Sequence, residues 1–512
     1  MSSARKISAE VLQTPQSDVI DASWIWETES IKAISAQSST VSLPKNPSHE
    51  QNNSKSWNDL QKAAPRFELG IKDLQSSALP LGHAAVQGAL TPQADRISEG
   101  SGSLLLISNG HGEDLIALKI IEALRIQRPQ LTLKVLPLVG TGGSFRTARE
   151  QGWIQQIGPS APLPSGGFSN QSLRGLLADV IAGLPLLTWQ QWRCLRKHRA
   201  QVDAVLAVGD LLPLLMAWGS GRPFGFIGTP KSDYTWCSGP GRDLSDNYHA
   251  LKGSEWDPWE WLLMRHKRCH LVITRDRLTA RGLRRHGVRA EAPGNPMMDG
   301  LNNALAPASL SRCRRILLLC GSRMPEAERN FSRLLLGLAP LPSDRPIAVL
   351  VALGSTPGLS ALGEELKRQG FRSSPPPSDA LQAGACWLKG HVLVLLGTGQ
   401  FERWAPWAEV GVATAGTATE QLVGLGIPAL SLPGKGPQFT QGFAKRQSRL
   451  LGGAVRPCQS SHELNTRLKQ LLEDPSLRLQ MGRRGRQRMG PDGGSDAIAK
   501  RVLIQLPLGH GY

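Results

Sequence analysis

Apolar segments of strand length alternate with amphipathic segments of helix length from Ser103 towards the end of the sequence. The first unit reads SLLLISNGHGEDLIALKIIEAL, in which an apolar run and a glycine turn precede Leu115, Leu118, Ile121 and Leu124 at helical spacing. Strands that alternate with helices form parallel sheets, because parallel neighbours need crossover connections. The sequence therefore predicts an α/β fold.

A turn cluster interrupts this alternation in mid-chain. It reads APGNP at Ala292–Pro296, and the strand and helix pattern restarts at RRILLLCGSR. We therefore predict two Rossmann-like domains, 103–300 and 301–494, that face a central cleft. A C-terminal helix at 495–508 is expected to pack back on the first domain. Residues 1–102 are rich in Ser, Gln, Asn and Ala and lack long apolar runs, so we expect a low-complexity, disordered extension there.

The composition narrows the possible partners and the compartment. The formal net charge is +18, which suits an anionic partner such as nucleic acid, a membrane surface or a phosphorylated substrate. No nucleic-acid-binding motif is present. The seven cysteines form no CxxC pair, which favours a reduced, cytoplasmic setting. No run of eighteen apolar residues occurs and the first residues lack a secretory pattern, so we expect neither a membrane-spanning helix nor a signal peptide.

One segment of the second domain has the pattern of a phosphate-binding loop. Ala415–Gln447 contains a small-residue loop, Gly416–Thr417, followed by a helix-length stretch, a turn at Gly426 and a new apolar run. The first turn of a helix presents unpaired N–H groups and the positive end of the helix dipole, which suit a phosphate. The alternative is an ordinary βαβ crossover, which also uses glycine at its turns.

Four polar segments of the first domain follow predicted strands. They are Asn109–Asp114, Gly140–Ser144, Asp210 and Thr229–Asp233. Ligands of open α/β sheets bind outside the carboxyl ends of the strands, so these segments are candidates for a substrate site.

The motifs GNPMMD, CGSR, GTATEQLVGLGIP and QFTQGFAKRQ occur in this order. Together with the two α/β halves, they resemble the GT-B glycosyltransferases, and most of all a divergent branch related to lipid-A-disaccharide synthase. The chain is more distantly similar to the transferase that adds N-acetylglucosamine to the lipid-linked peptidoglycan precursor, and to UDP-N-acetylglucosamine 2-epimerase. The resemblance spans about 103–508.

The resemblance implies a donor site in the second domain. The family has Leu-Glu after its GTAT loop, whereas this chain has Glu420-Gln421, so its glutamate is displaced by one position. Either side chain can accept a hydrogen bond from a hydroxyl. The implied donor and diphosphate residues are Gly321, Ser322, Arg323, Gly416, Thr417, Ala418, Thr419, Glu420, Gln421, Gln438, Thr440, Lys445 and Arg446.

The first domain is expected to supply the base that takes the proton of the acceptor hydroxyl. The family has a Pro-Asp-Phe-Asn turn where this chain has Val208–Leu211, so Asp210 is the candidate base. His111 and Asp114 are the alternatives, and a helix N-cap is the structural alternative for Asp210. The expected acceptor-side residues are Asn109, Gly110, Gly142, Gly143 and Lys231.

The implied activity is an inverting transfer of a sugar, of the N-acyl-glucosamine type, from a UDP-sugar to a lipid-linked sugar. The UDP-sugar acts as co-substrate, and we expect no cofactor and no metal. The alternatives are a UDP-sugar epimerase or hydrolase, and a non-catalytic binding protein.

A lipid acceptor predicts a peripheral, membrane-facing surface on the cytoplasmic side. Two stretches, Leu173–Arg199 and Trp256–Arg268, place aromatic residues beside cations. Both stretches could equally be core helices. The pattern leaves the oligomeric state open.

Overall fold

Two sheets form the frame of the protein. The structure is a computed structural model, and it describes residues 102–161, 180–181, 183–301, 304–338, 341, 345–377, 379, 382–434 and 439–509. These residues all lie in one compact unit. The predicted extension, residues 1–102, lies outside the described residues except for its last residue, as does Gln438.

The first half contains a seven-stranded sheet in which all strands are parallel. Its spatial order is β3-β2-β1-β4-β5-β6-β7, so β1 lies between β2 and β4. The strands are β1 (Ser103–Ser108), β2 (Thr132–Pro137), β3 (Gln155–Gln156), β4 (Ala204–Gly209), β5 (Phe224–Gly228), β6 (Cys269–Thr274) and β7 (Ala290–Glu291).

Helices cover both faces of this sheet, which explains why its central strands are continuous apolar runs. Short 3₁₀ helices occur at Gly143–Phe145, Arg199–Gln201 and Pro296–Met298. The α-helices are α1 (His111–Gln127), α2 (Arg146–Glu150), α3 (Leu184–His198), α4 (Leu211–Gly219), α5 (Tyr234–Cys237), α6 (Leu244–Lys252), α7 (Pro258–Met264) and α8 (Arg277–Arg285).

The second half contains an eight-stranded sheet of order β10-β11-β12-β9-β8-β13-β14-β15. Six strands are parallel, whereas β10 and β11 form an antiparallel edge that the sequence pattern did not predict. The strands are β8 (Arg314–Leu319), β9 (Ile347–Leu353), β10 (Arg372–Ser373), β11 (Ala385–Lys389), β12 (Val392–Thr398), β13 (Val410–Ala413), β14 (Ala429–Ser431) and β15 (Val455–Pro457).

Among the described residues, eight α-helices belong to or follow this half. Two 3₁₀ helices lie at Ala308–Leu310 and Ala405–Trp407. The α-helices are α9 (Glu326–Leu338), α10 (Leu359–Arg368), α11 (Phe401–Trp404), α12 (Thr417–Gly424), α13 (Gln441–Leu450), α14 (Ser461–Glu473), α15 (Pro475–Met489) and α16 (Gly494–Gln505).

Helix α15 supports the GTAT helix α12 through two glycines. A Cβ on Gly482 would lie 2.0 Å from the carbonyl oxygen of Gly426, and one on Gly485 would lie 2.2 Å from that of Val423. Only glycine permits this approach of two backbones. The sequence pattern indicated only a basic, glycine-containing segment here, because glycine lowers helix propensity.

The last helix, α16, returns to the first half. Ile498, Ala499 and Val502 are buried in the core around α1. The chain therefore crosses between the halves twice, and the crossings touch, because a Cβ on Gly294 would lie 2.7 Å from the Cα of Gly494. Asp299 accepts the N–H groups of Gly494 and Ser495 at 2.9 and 2.6 Å.

Candidate functional site

The GTAT loop lies at the carboxyl end of β13, in the middle of the second sheet. Gly416 precedes α12, and Thr417 is the exposed first residue of that helix. The side chains of Thr419 and Gln447 donate hydrogen bonds to the Ala415 carbonyl at 2.6 and 3.3 Å, and Gln447 also donates to that of Gly416 at 3.1 Å. These bonds fix the loop carbonyls, and Thr417 at the N–H end of α12 is exposed.

The GSR loop is adjacent, because its strand β8 is the neighbour of β13. Gly321 adopts a φ of 86°, and its Cα region lies beside the Thr414 carbonyl. Ser322 accepts the Thr356 hydroxyl through its carbonyl. Burial lowers the pKa of Arg323, which still remains a cation. The structure therefore brings Gly321–Arg323 and Gly416–Thr419 together at the carboxyl ends of two neighbouring strands.

Helix α13 flanks the same loop. Thr440 caps it by accepting the Phe443 N–H at 3.2 Å, and the Phe443 ring lies beside Gly416. Lys445 is exposed, whereas Arg446 pairs with Glu255 of the first half at 2.5 Å.

Glu420 and Gln421 both point to the first half. Glu420 pairs with Arg275 at 2.7 Å, and the Gln421 amide donates to the Met297 carbonyl at 2.7 Å. The two side chains that the resemblance assigned to the donor thus make contacts between the halves.

On the first half, polar groups converge at the carboxyl ends of β1, β4 and β5. Asp210 is the N-cap of α4 and accepts the Leu212 N–H at 3.2 Å. It also accepts the Asn109 amide at 2.8 Å. Thr229 donates to Glu113 at 3.4 Å. The strand-end residues of three neighbouring strands therefore form one cluster.

The other residues predicted for the first half have different settings. Asp114 is buried and accepts the Ser108 hydroxyl at 2.5 Å, so it faces the sheet. Gly110 precedes α1, and His111 begins it. Lys231 pairs with the buried Glu260 at 2.6 Å. Gly142 and Gly143 form the start of a 3₁₀ helix after β2.

Burial raises the pKa of two carboxyls of α1. That of Glu113 rises to about 7, with Asp210 and Asp114 adding to the effect by like charge. That of Asp114 also rises to about 7 through burial, opposed by the bond from Ser108. Each carboxyl is thus partly protonated near neutral pH.

The two helix starts lie next to each other where the halves meet. A Cβ on Gly112, in the first turn of α1, would lie 3.6 Å from the Oγ1 of Thr417 in the first turn of α12. The carboxyl cluster and the GTAT loop are therefore adjacent at the junction of the halves.

Sequence reasoning missed three residues of this site. Glu113 lies in the candidate segment Asn109–Asp114 but has no predicted role there, and the sequence singles out neither Arg275 nor Glu255. The partners Arg275 and Glu420 are 145 positions apart. Such contacts depend on how the halves dock, and no local pattern encodes that. The signal that could have found Glu113 is its place in the first helical turn after the central strand.

Solved structures with this architecture exist. The S. aureus MnaA-UDP co-structure aligns with a TM-score of 0.50 at 14% identity, over 79% of this chain and 97% of that chain. CalG4, the calicheamicin glycosyltransferase, aligns with a TM-score of 0.50 at 14% identity, over 79% of this chain and 99% of that one. The chain has the GT-B fold. This confirms the expected fold class.

No protein-family model matches the sequence, and no curated protein does either. Within the described ranges, no group of three or more His, Cys, Asp or Glu side chains is placed to hold a metal ion. No helix among the described residues is long and apolar enough to cross a membrane.

Proposed function

We propose that this protein transfers a sugar of the N-acyl-glucosamine type from a UDP-sugar to a lipid-linked sugar, with inversion. The observation that carries the proposal is the juxtaposition of two helix starts, at Gly112 and Thr417, where the two halves of the GT-B fold meet. The helix start of the second half suits an anion, and the helix start of the first half carries carboxyls; a glycosyl transfer needs both.

The donor diphosphate would bind at the start of α12. Backbone N–H groups and the helix dipole favour an anion there. Arg323 of the neighbouring loop and the exposed Lys445 of α13 supply positive charge nearby. The similar MnaA structure was solved with UDP, which supports a uridine diphosphate as the ligand. These groups would stabilise the leaving diphosphate as its charge develops.

A surface of the first half fits the expected lipid partner. Helices α3, α4 and α7 are neighbours. They expose Trp189 (50%), Trp192 (40%), Trp218 (40%) and Trp259 (53%), and we call these side chains the aromatic surface. Helix α4, which carries Trp218 and belongs to neither predicted stretch, contacts a helix of each stretch.

Cations accompany the aromatic surface. The guanidinium of Arg193 lies 4.6 Å from the ring centre of Trp189, and that of Arg196 lies 5.4 Å from that of Trp192. Aromatic rings beside cations suit the interface of an anionic membrane. Other parts of the predicted stretches differ, since Trp256 is buried, Trp261 stacks on His286, and residues 173–179 lie outside the described ranges. A peripheral position on the cytoplasmic face of a membrane follows from the proposal.

The donor site can be tested by introducing one negative charge. In Thr417→Asp the helix dipole stabilises the new carboxylate, so the fold should persist. The same carboxylate repels a diphosphate by like charge. We expect the UDP-induced rise in melting temperature and the release of UDP from UDP-N-acetylglucosamine to be lost. Thr466→Asp, on the exposed face of α14, is the matched control and should retain both. Equal behaviour of the two variants would contradict the donor site.

The acceptor is tested by measuring UDP release with and without an acylated glucosamine phosphate in phosphatidylglycerol vesicles. Transfer predicts release that depends on the acceptor. Release that is equal without it would instead support a hydrolase, and absence of both release and melting shift would support a binding protein.

A further inference from the structure

Glu113 occupies the centre of the carboxyl cluster on the first half. It is the third residue of α1, which starts after the central strand β1. Thr229, which follows β5, donates to its Oε1 at 3.4 Å. A Cβ on Gly209, at the end of β4, would lie 3.5 Å from the Cγ of Glu113 and 3.1 Å from the Cβ of Asn109. Glycine with a φ of 137° at position 209 therefore leaves room for the glutamate.

Asp210 has another task in this cluster. Its Oδ1 accepts the Leu212 N–H and the Asn109 amide, so it starts α4 and fixes Asn109. Both bonds engage this oxygen in positioning its neighbours. Asp210 also contributes the like charge that helps to keep a proton on Glu113.

Glu113 is placed for access to the donor. It is partly exposed, and the adjacent Gly112 lies opposite Thr417 at the start of α12. Asp114, its other neighbour, is buried beneath the helix and is bonded to Ser108. Of the two acidic residues in this turn, only Glu113 can therefore reach a substrate in the cleft.

We infer that Glu113 is the general base, and that Asp210 acts as a positioning residue; the inference rests on the proposed function. Glu113 takes the proton of the acceptor hydroxyl while that oxygen bonds to the anomeric carbon. The bond from this carbon to the diphosphate oxygen breaks, and UDP leaves with its electron pair. The protonated Glu113 then passes its proton to water.

The protonation state suits this role. Burial raises the pKa of Glu113 to about 7, so a large fraction is ionised at neutral pH while the group stays basic. The charged groups around it are Asp210 on the β4 side, Asp114 on its own helix, and Arg275, which donates to the Thr229 carbonyl at 3.4 Å from the β6 side.

The test is the pH profile of kcat/KM for UDP release in the presence of the lipid acceptor. Glu113→Gln can still accept from Thr229, so the fold should be kept. We expect kcat to fall by about 10²- to 10⁴-fold with little change in donor KM. The wild-type rise in rate near pH 7 should disappear, and Glu113→Asp should restore part of the rate. In Asp210→Asn the rise should move to lower pH, because a like charge is removed.

The outcomes separate the two proposals. Absence of acceptor-dependent UDP release by the wild type refutes the proposed function and the base with it. Wild-type release that persists in Glu113→Gln with the same pH profile refutes the base alone, and so does a profile abolished by His111→Ala and retained in Glu113→Gln. The UDP-induced melting shift checks that each variant is folded. If Glu113→Gln does not fold, an unchanged profile in Asp210→Asn overturns the inference.

Discussion

Arg449 of α13 joins the two halves through a buried ion-pair network. Its guanidinium is 3% exposed and bonds Asp246 and Asp243 of the first half, each at 2.8 Å. The carboxylate of Asp246 is also buried, whereas that of Asp243 is 39% exposed. We predict that Arg449→Met destabilises the protein strongly, because Asp246 would remain buried without its cation.

The expected size follows from opposing contributions. At 2.8 Å and an effective dielectric constant of about 20, each pair attracts by about 6 kcal/mol. Removing the three charges from water costs several kcal/mol per ion, so the intact network adds little net stability. Removing one partner of a buried pair costs about 3–5 kcal/mol. Asp243→Asn should cost less than about 1 kcal/mol, because its carboxylate remains hydrated.

Urea unfolding of four proteins tests this reasoning: the wild type, Arg449→Met, Asp246→Asn and the double variant. Asn can still accept the Asp243 N–H that Asp246 accepts at 2.6 Å, so it removes only the charge. The double variant should be less destabilised than the sum of the single variants by about 0.5–3 kcal/mol. Additive losses, or a loss below about 1 kcal/mol in Arg449→Met, would refute the argument.

Three further predictions concern the membrane, the interface and pH. Trp189→Ala combined with Arg193→Glu should weaken binding to anionic vesicles by about 1 kcal/mol or more in flotation at low salt, and equal binding to neutral vesicles by the wild type would contradict this. Glu420→Gln should lower the urea midpoint, because Arg275 stays buried without its carboxylate; a loss of UDP affinity at unchanged stability would instead favour a donor role. The folded state holds the Asp114 proton up to about pH 7, whereas an unfolded aspartate loses it near pH 4, so stability falls as pH rises through this window by on the order of 4 kcal/mol. Asp114→Asn should flatten this dependence in urea melts at several pH values, and an unchanged slope would count against it.

Much of the fold could be predicted because local sequence patterns indicate its strands and helices. The central parallel strands are apolar runs such as Val410–Ala413, and amphipathic helices follow many of them. Helix α15 was not predicted because Gly482 and Gly485 lower the helix propensity of the segment. Both positions need glycine because they contact a backbone segment that is distant in the sequence. The antiparallel edge, β10 and β11, was missed because it is short and partly polar.

The site was predictable in part for the same reason. Loops such as Gly416–Thr419 and Gly321–Arg323 lie at strand ends, and sheet geometry places them together. The pairing of Glu420 with Arg275 depends on how two separately folded halves meet. The burial that raises the pKa of Glu113 likewise arises from neighbours on three strands, which no segment of the sequence shows alone.

The contact of Gly294 with Gly494 places both covalent crossings at one point. Two tethers that meet at a single point act as one pivot, so contacts away from this point set the rotational alignment of the halves. The second tether depends on α16, since Asp299 holds its start and the core of the first half holds its body. The ion pairs of Glu420 with Arg275 and of Arg449 with Asp246 therefore hold the carboxyls near Glu113 and the loop at Thr417 in rotational alignment.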